Sequence, residues 1–357
     1  MDFKELKIGY VPYSTNLSQP ADRRRFLHFA ERKEIEYEIA DTSKKYDIVI
    51  LPAPANLSKW LLYKRKNPET KFIFEMVDSL IFTTDFFSEV FKGIGRFLIG
   101  KDTLMYFNYQ KLIIKWIKSA DLVLCSSTEI KSKILNWNRN AIVSLDYLEN
   151  EYSAVKHDYN IGCKMKLVWE GQGSVLPHFL RFKTVFEQVN SFCELHVITS
   201  KRFALYGRYL KKDVSKILNK LPIKTVFHEW DINTKDKILS QCDCGIIPLD
   251  RNNIFGWHKP ANKLISFWFT GLPTLVSDTP AYKELMDNAQ ERMCCGNEED
   301  WIKKIHIMRN MVLSDRMALA AKNLAYVKTH YSDVALDKVW GNIFSRLDFF
   351  VRKHASY

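Results

Sequence analysis

With 357 residues the chain is too long for one ordinary core and suits two domains, each able to bury a sizeable interior. Apolar residues make up 46% and aromatics 13%, which excludes a disordered or fibrous protein. A formal net charge of +12 favours an anionic partner and leaves open whether that is a phosphate-bearing metabolite, a membrane surface or nucleic acid.

The opening MDFKELKIGYVPY has no apolar signal core, and no window reaches about 18 uncharged apolar residues. A cytoplasmic location is therefore expected. Strands are predicted near LKIGYV, EYEIA, YDIVIL, KFIFEM and DLVLCS, separated by helical stretches such as Arg23 to Lys33. Alternation of this kind builds a parallel, doubly wound sheet, which presents its ligand-binding loops beyond the strand C-termini. The first such loop, YVPYSTNLSQPADRRRF, offers Ser14, Asn16, Ser18 and Gln19 as neutral hydrogen-bonding groups suited to a sugar. Arg23, Arg24 and Arg25 either meet an acidic acceptor or phosphate, or are solvated in a first helical turn. In KFIFEMVDSLIF, Glu75 sits among apolar residues, as a perturbed functional carboxylate or as a sheet-face residue paired with a base.

From Phe86 to Leu98 the apolar positions Phe87, Val90, Phe91, Ile94 and Leu98 follow helical spacing, with Lys92 and Arg96 opposite, and Lys111, Lys115 and Lys118 share one face of the next helix. The pair reads either as an interfacial amphipathic anchor or as two core-facing helices. Between about Asn150 and Cys163 the periodicity lapses, as in a linker. Domains are accordingly expected over residues 1–150 and 166–330, with a linker over 151–165. The tail, 331–357, keeps Val339, Ile343 and Leu347 at helical spacing and is expected to pack back on the first domain.

The second half repeats the plan with KLVWEG, ELHVIT, KTVFHE, DCGIIPL and LPTLVS. After KLVWEG, Gly171 and Gly173 let the backbone approach a phosphate, with Ser174 capping the next helix, or they form an ordinary turn. Arg181 and Lys183 come about two turns too late for that phosphate. Asp250, Arg251 and Asn252 are either donor-sugar contacts or a polar surface turn. If a helix begins near Pro260, Lys259 stands at its mouth and Lys263 in its first turn, where two ammonium groups and the dipole meet at one anionic site. Asn262 adds a side-chain hydrogen bond. The other reading leaves both lysines solvated at a helix start, where the dipole mildly disfavours them. Seven cysteines without CxxC spacing, including Cys242, Cys244 and the adjacent Cys294 and Cys295, read as reduced and not as a zinc site.

KPANKLISFWFTGLPTLVSDTPAYKEL, preceded by FHEW and ILSQCDCGIIPL, resembles the donor-binding domain of the retaining, nucleotide-sugar-dependent glycosyltransferases of group 1, which have the GT-B architecture. ADLVLCSSTEIKSKIL with VSLDYLENEY is similar to the end of that family's first domain and its crossing into the second, so the likeness covers roughly residues 120–290. It implies an α/β protein of two facing Rossmann-like domains, each with a mainly parallel doubly wound sheet. The second would hold a nucleotide-sugar donor as co-substrate, the first an acceptor. No metal and no further cofactor are implied, because Lys259 and Lys263 would stabilise the departing diphosphate.

By position in the family, Trp230 with Glu229 and Asp231 would meet the nucleobase, and Asp78 would be the acid beyond the fourth strand. Two glutamates of the family pattern fall on His258 and Ser266. Neither is acidic, although Ser266 retains a hydroxyl for the ribose. The resemblance implies transfer of a sugar to a glycan or lipid-linked acceptor, with retention, in bacterial surface polysaccharide (lipopolysaccharide or capsule) synthesis, with peripheral association at the inner leaflet. The missing acids support two alternatives: an inverting enzyme using another donor such as a CMP-sugar, or a non-catalytic nucleotide-sugar-binding protein. No nucleic-acid motif is present and the lysines are scattered, so nucleic acid is not an expected partner.

Overall fold

The computed structural model describes residues 6–82, 93–98, 100–205 and 210–354. The chain forms two compact units, one of Met1–Tyr147, His258–Pro260 and Asp333–Tyr357, the other of Leu148–Trp257 and Ala261–Ser332.

In the first unit the short apolar runs become strands β1 (Ile8–Tyr10), β2 (Glu38–Ile39), β3 (Ile48–Pro52), β4 (Lys71–Met76), β5 (Leu122–Cys125) and β6 (Ala141–Val143). All pair in parallel, in the order β2-β1-β3-β4-β5-β6. Both faces are covered, which is why the runs are continuously apolar and not alternating. Phe72 and Phe74 of β4 face Trp116, whereas Ile73 faces a second core with Phe26, Phe29 and Trp340. The helix Asp333–His354 belongs to this second core, with Trp340 stacked on Phe29 at 5.7 Å and Asp337 held by Arg32, Lys33 and Tyr147.

The helix expected over Arg23 to Lys33 is broken. Helical segments run over Pro20–Arg23 and Phe26–Arg32, and Arg25 between them takes φ −131°, ψ −120°. That departure turns its side chain into the interior, where it is 1% exposed and meets buried carboxylates. Electrostatic pairing overrides helix propensity at this position.

In the second unit the main sheet contains β7 (Met165–Glu170), β8 (Cys193–Thr199), β11 (Thr225–Glu229), β12 (Cys244–Ile247), β13 (Thr274–Ser277) and β14 (Cys294–Cys295). An antiparallel hairpin of β9 (Arg202–Leu205) and β10 (Leu210–Asp213) stands apart. The main order is β11-β8-β7-β12-β13-β14, all parallel. From β7 the chain builds outward through β8 to β11, then returns to add β12 on the other side. Such a reversal leaves an open crevice at the C-terminal ends of the two central strands.

The helix Asn262–Phe269 covers those strands and is apolar almost all round, with Leu264, Ile265, Phe267, Trp268 and Phe269 buried. Gly245 of β12 makes room for it, since a Cβ there would lie 2.5 Å from the Phe267 ring. Gly271 ends the helix at φ +67°, a backbone that side chains with a Cβ resist. The polar stretch after Tyr152 is tied to this unit: Ala154 N–H donates to Asp236, Lys156 N–H to Thr270 O, and Tyr159 OH to Gly271 O.

Candidate functional site

The reversal in the second unit gathers a small polar cluster. Glu170 ends β7, and its carboxylate accepts the Trp230 indole N–H at 2.8 Å and the Tyr152 hydroxyl at 3.1 Å. Lys263 Nζ donates to the Glu170 carbonyl and lies 5.7 Å from the centre of the Trp169 ring. The Lys263 helix starts at Asn262 with Ala261 as its N-cap and no side-chain cap, two residues later than the Pro260 expectation. Lys259 is exposed in the segment before it. Asn262 Oδ1 is buried and has no hydrogen-bond partner among the described residues. A lysine, an unsatisfied amide oxygen and uncapped helix N–H groups therefore meet beside the end of β7.

Gly171 and Gly173 lie in this turn, and two aromatic rings account for both. A Cβ at Gly171 would lie 2.5 Å from the Trp169 indole, and one at Gly173 would lie 2.9 Å from the Phe203 ring. Ser174 does not cap the next element: Gly173–Phe182 is a 3-10 stretch whose N-cap is Gln172, with no side-chain hydrogen bond. It carries Arg181 to Asp250, whose other oxygen accepts the Asn252 N–H at 3.0 Å. Arg251 pairs with Asp278 at 2.6 Å and stands over Trp257. These pairs line a cavity of about 210 Å³ at the ends of β12, β13 and β14.

Trp230 is 37% exposed, which leaves part of the indole accessible while its N–H is fixed on Glu170. Glu229 accepts the Lys201 N–H and Asp231 the Asn233 N–H. Ser266 is buried, its hydroxyl donating to the Lys263 carbonyl at 2.8 Å, a bond within its own helix. His258 falls in the first unit, with Nδ1 2.9 Å from Glu129 and its ring stacked on Phe82 at 4.0 Å.

The first unit has its own polar centre at the ends of β1, β3 and β4. Asp22, fully buried, accepts from Tyr10 OH, Tyr13 N–H, Ser14 N–H and Ser14 OH at 2.8 to 3.1 Å. One carboxylate thus fixes the loop that the sequence marks for a sugar. Beneath it, Glu75 pairs with Arg25 at 3.0 Å and accepts the Tyr13 hydroxyl at 3.3 Å, and Arg25 also reaches Asp146 and Ser144 O. Burial pushes the Glu75 carboxyl above its ordinary pKa, and Arg25 offsets this only in part. Burial also raises Tyr13, with Glu75 adding to the effect. Glu75 is therefore both perturbed and paired with a base. Arg25 Nη2 and Ser144 Oγ remain buried without partners among the described residues. Asp78 lies exposed just beyond β4, while Asn16 and Ser18 bond to each other.

Sequence reasoning missed Asp22 and Glu170. Asp22 looks like an ordinary acid in a first helical turn. Glu170, a charge closing a buried strand, carries the same signal that singled out Glu75. All seven cysteines are unbridged, burial pushing Cys125, Cys193 and Cys242 up to about 12. Among the described residues no cluster of His, Cys, Asp and Glu is arranged to hold a metal ion, and no helix is long and apolar enough to cross a membrane.

Two doubly wound parallel sheets with these topologies define an α/β protein of two Rossmann-like units, the GT-B fold of nucleotide-sugar glycosyltransferases. HepE from Anabaena in complex with UDP aligns with a TM-score of 0.64 at 12% identity, over 95% of this chain and 100% of its own. A glycosyltransferase from Rickettsia africae ESF-5 aligns with a TM-score of 0.60 at 11% identity, over 95% of this chain and 97% of its own. A variant of TarM from S. aureus, in complex with fondaparinux, alpha-GlcNAc-glycerol and UDP, aligns with a TM-score of 0.56 at 13% identity over 83% of this chain. The chain spans only about half of TarM, 55% of its length. At such identities the likeness is one of fold. No family model and no curated protein sequence matches the chain.

Proposed function

We propose that this protein is a glycosyltransferase that moves a sugar from a nucleotide-activated donor to a glycan or lipid-linked acceptor. The carrying observation is Lys263, resting on the Glu170 carbonyl beside an uncapped helix start and the unsatisfied Asn262 amide. The complexes of HepE and TarM with UDP support a uridine nucleotide as the first donor to try.

In this reading the diphosphate takes the place of the Glu170 carbonyl as partner of Lys263 and receives N–H groups from the helix start, with Lys259 adding charge. Positive charge then meets the negative charge that grows on the leaving group, the largest electrostatic demand of the reaction. No cofactor beyond the donor is required. Trp230 offers an indole face to the base, Gly171 and Gly173 form the turn beside the phosphates, Asp250 meets the donor sugar, and Ser266 reaches the ribose after rotating off Lys263 O. The loop fixed by Asp22 contacts the acceptor.

Retention through a front-face reaction, with donor phosphate taking the acceptor proton, needs no protein nucleophile. An inverting outcome would make Asp78 the general base. We place the reaction in bacterial surface polysaccharide synthesis, on the cytoplasmic face of the inner membrane.

Thermal-shift screening against uridine, guanosine, thymidine, adenosine and cytidine nucleotides tests the donor reading, because a ligand of the native state alone raises its melting point. A rise with a uridine nucleotide followed by turnover of the matching sugar nucleotide is expected. Binding without turnover would identify a non-catalytic protein, and no rise with any nucleotide would overturn the reading.

A further inference from the structure

The segment before the helix Tyr109–Ser119 exposes more apolar surface than any fold requirement explains. Leu98 is 74% exposed, Phe107 61%, Met105 44%, Leu104 43% and Phe97 40%. Fixed backbone sets these side chains outward. Arg96 donates to Pro54 O and Ala55 O at 3.1 and 2.7 Å, pairs with Asp102 at 2.6 Å and covers the Tyr109 ring. Thr103 N–H donates to Ser58 and Asn56, and Leu104 N–H donates to Ser58. A pinned loop that presents five large apolar tips marks an interaction surface.

Charge identifies the occupant. Among the described residues 93–119 the cations are Arg96, Lys101, Lys111, Lys115 and Lys118, and the one acid, Asp102, is buried against Arg96. Lys111, Lys115 and Lys118 share the exposed face of a helix whose other face buries Leu112, Ile113, Trp116 and Ile117. The neighbouring helix Leu57–Lys66 contains no acid and exposes Lys59, Leu62, Arg65 and Lys66. Exposed apolar tips followed in the chain by a helix face of lysines fit the boundary between acyl chains and anionic headgroups, where each kind of group is satisfied at its own depth.

We propose that residues 97–98 and 100–107, with the lysine face of helix Tyr109–Ser119, form a docking surface for an anionic lipid bilayer. This differs from the anchor that the sequence suggests. Phe87, Val90, Phe91 and Lys92 lie outside the described residues, and Arg96 is an internal strut and not a lipid-facing cation. The inference rests on the first unit alone and stands independently of the donor site. A lipid-linked acceptor would give it a purpose.

Co-sedimentation of the full chain with phosphatidylcholine vesicles, with and without phosphatidylglycerol, tests it. Binding to the anionic vesicles alone, weakening as salt rises, is expected. Leu98→Ser with Phe107→Ser should lower partitioning more than tenfold. Lys111→Ala with Lys115→Ala should lower it roughly fivefold per lysine. Both sets are at the surface, so unchanged melting temperatures would confirm folding, and a retained nucleotide-induced shift would show the donor site intact. Wild-type protein remaining in the supernatant with anionic vesicles would overturn the proposal. So would variants that sediment like wild type, or a Phe107→Ser change that only converts a dimer to a monomer in size-exclusion chromatography.

Discussion

Both units have a polar centre at the C-terminal ends of parallel strands, yet the two centres are built differently. In the first, Asp22 and Glu75 are fully buried and their oxygens are taken up by protein donors, so the cluster holds a loop in place. In the second, Lys263 rests on a backbone carbonyl, Asn262 Oδ1 has no partner among the described residues, and Trp230 remains partly exposed. A bond from an ammonium group to a neutral carbonyl is readily exchanged for one to a phosphate oxygen, because the phosphate adds an attraction between opposite charges that the carbonyl lacks. The first centre is built as a scaffold, and the second is the one we propose as a receptor.

That contrast is broken most severely at Arg25. Arg25→Met should destabilise the protein by about 3–5 kcal/mol in chemical denaturation, since Glu75 and Asp146 would lose their counter-charge in the interior and Glu75 would keep only the Tyr13 hydroxyl as a donor. If stability were unchanged, the scaffold description would be wrong. Asp22→Asn keeps one acceptor oxygen and turns its amide toward the two donors of the other, either those of Ser14 or those of Tyr10 and Tyr13, so a loss of about 1.5–3 kcal/mol is expected. Because the loop at Tyr13 and Ser14 depends on that carboxylate, KM for the acceptor should rise more than kcat falls.

A smaller effect belongs to His228, which hydrogen-bonds His196 at 2.9 Å. Burial and the neighbouring His196 lower its pKa in the folded state. Below about pH 6.5, the ordinary value for histidine, the unfolded chain then binds more protons than the folded one. Stability is thus fully present above that pH and declines as pH falls through it. His228→Gln should flatten this slope in melting temperatures measured across the acid range, and an unchanged slope would assign it to other groups.

Much of the fold was legible because parallel strands buried on both faces appear as unbroken apolar runs, as in YDIVIL and DCGIIPL. The elements that escaped are short or weakly patterned. β6 and β14 have three and two residues, and the β9–β10 hairpin is rich in cations. At the candidate sites, the position of Lys263 and Asn262 at a helix start was readable from local spacing, because such a start gathers consecutive residues. The pairing of His258 was not, since its partner Glu129 lies 129 positions away. The same holds for Arg25, whose helix is interrupted to reach Glu75 and Asp146, contacts that no local pattern encodes.

Calorimetric titration of UDP into wild type and Lys263→Ala tests the receptor description most directly. Wild type should bind, and the variant should lose at least tenfold in affinity while its melting temperature without ligand shows the fold retained. Equal affinity in the two proteins would contradict the account, because the cation at the helix start would then have no part in holding the nucleotide.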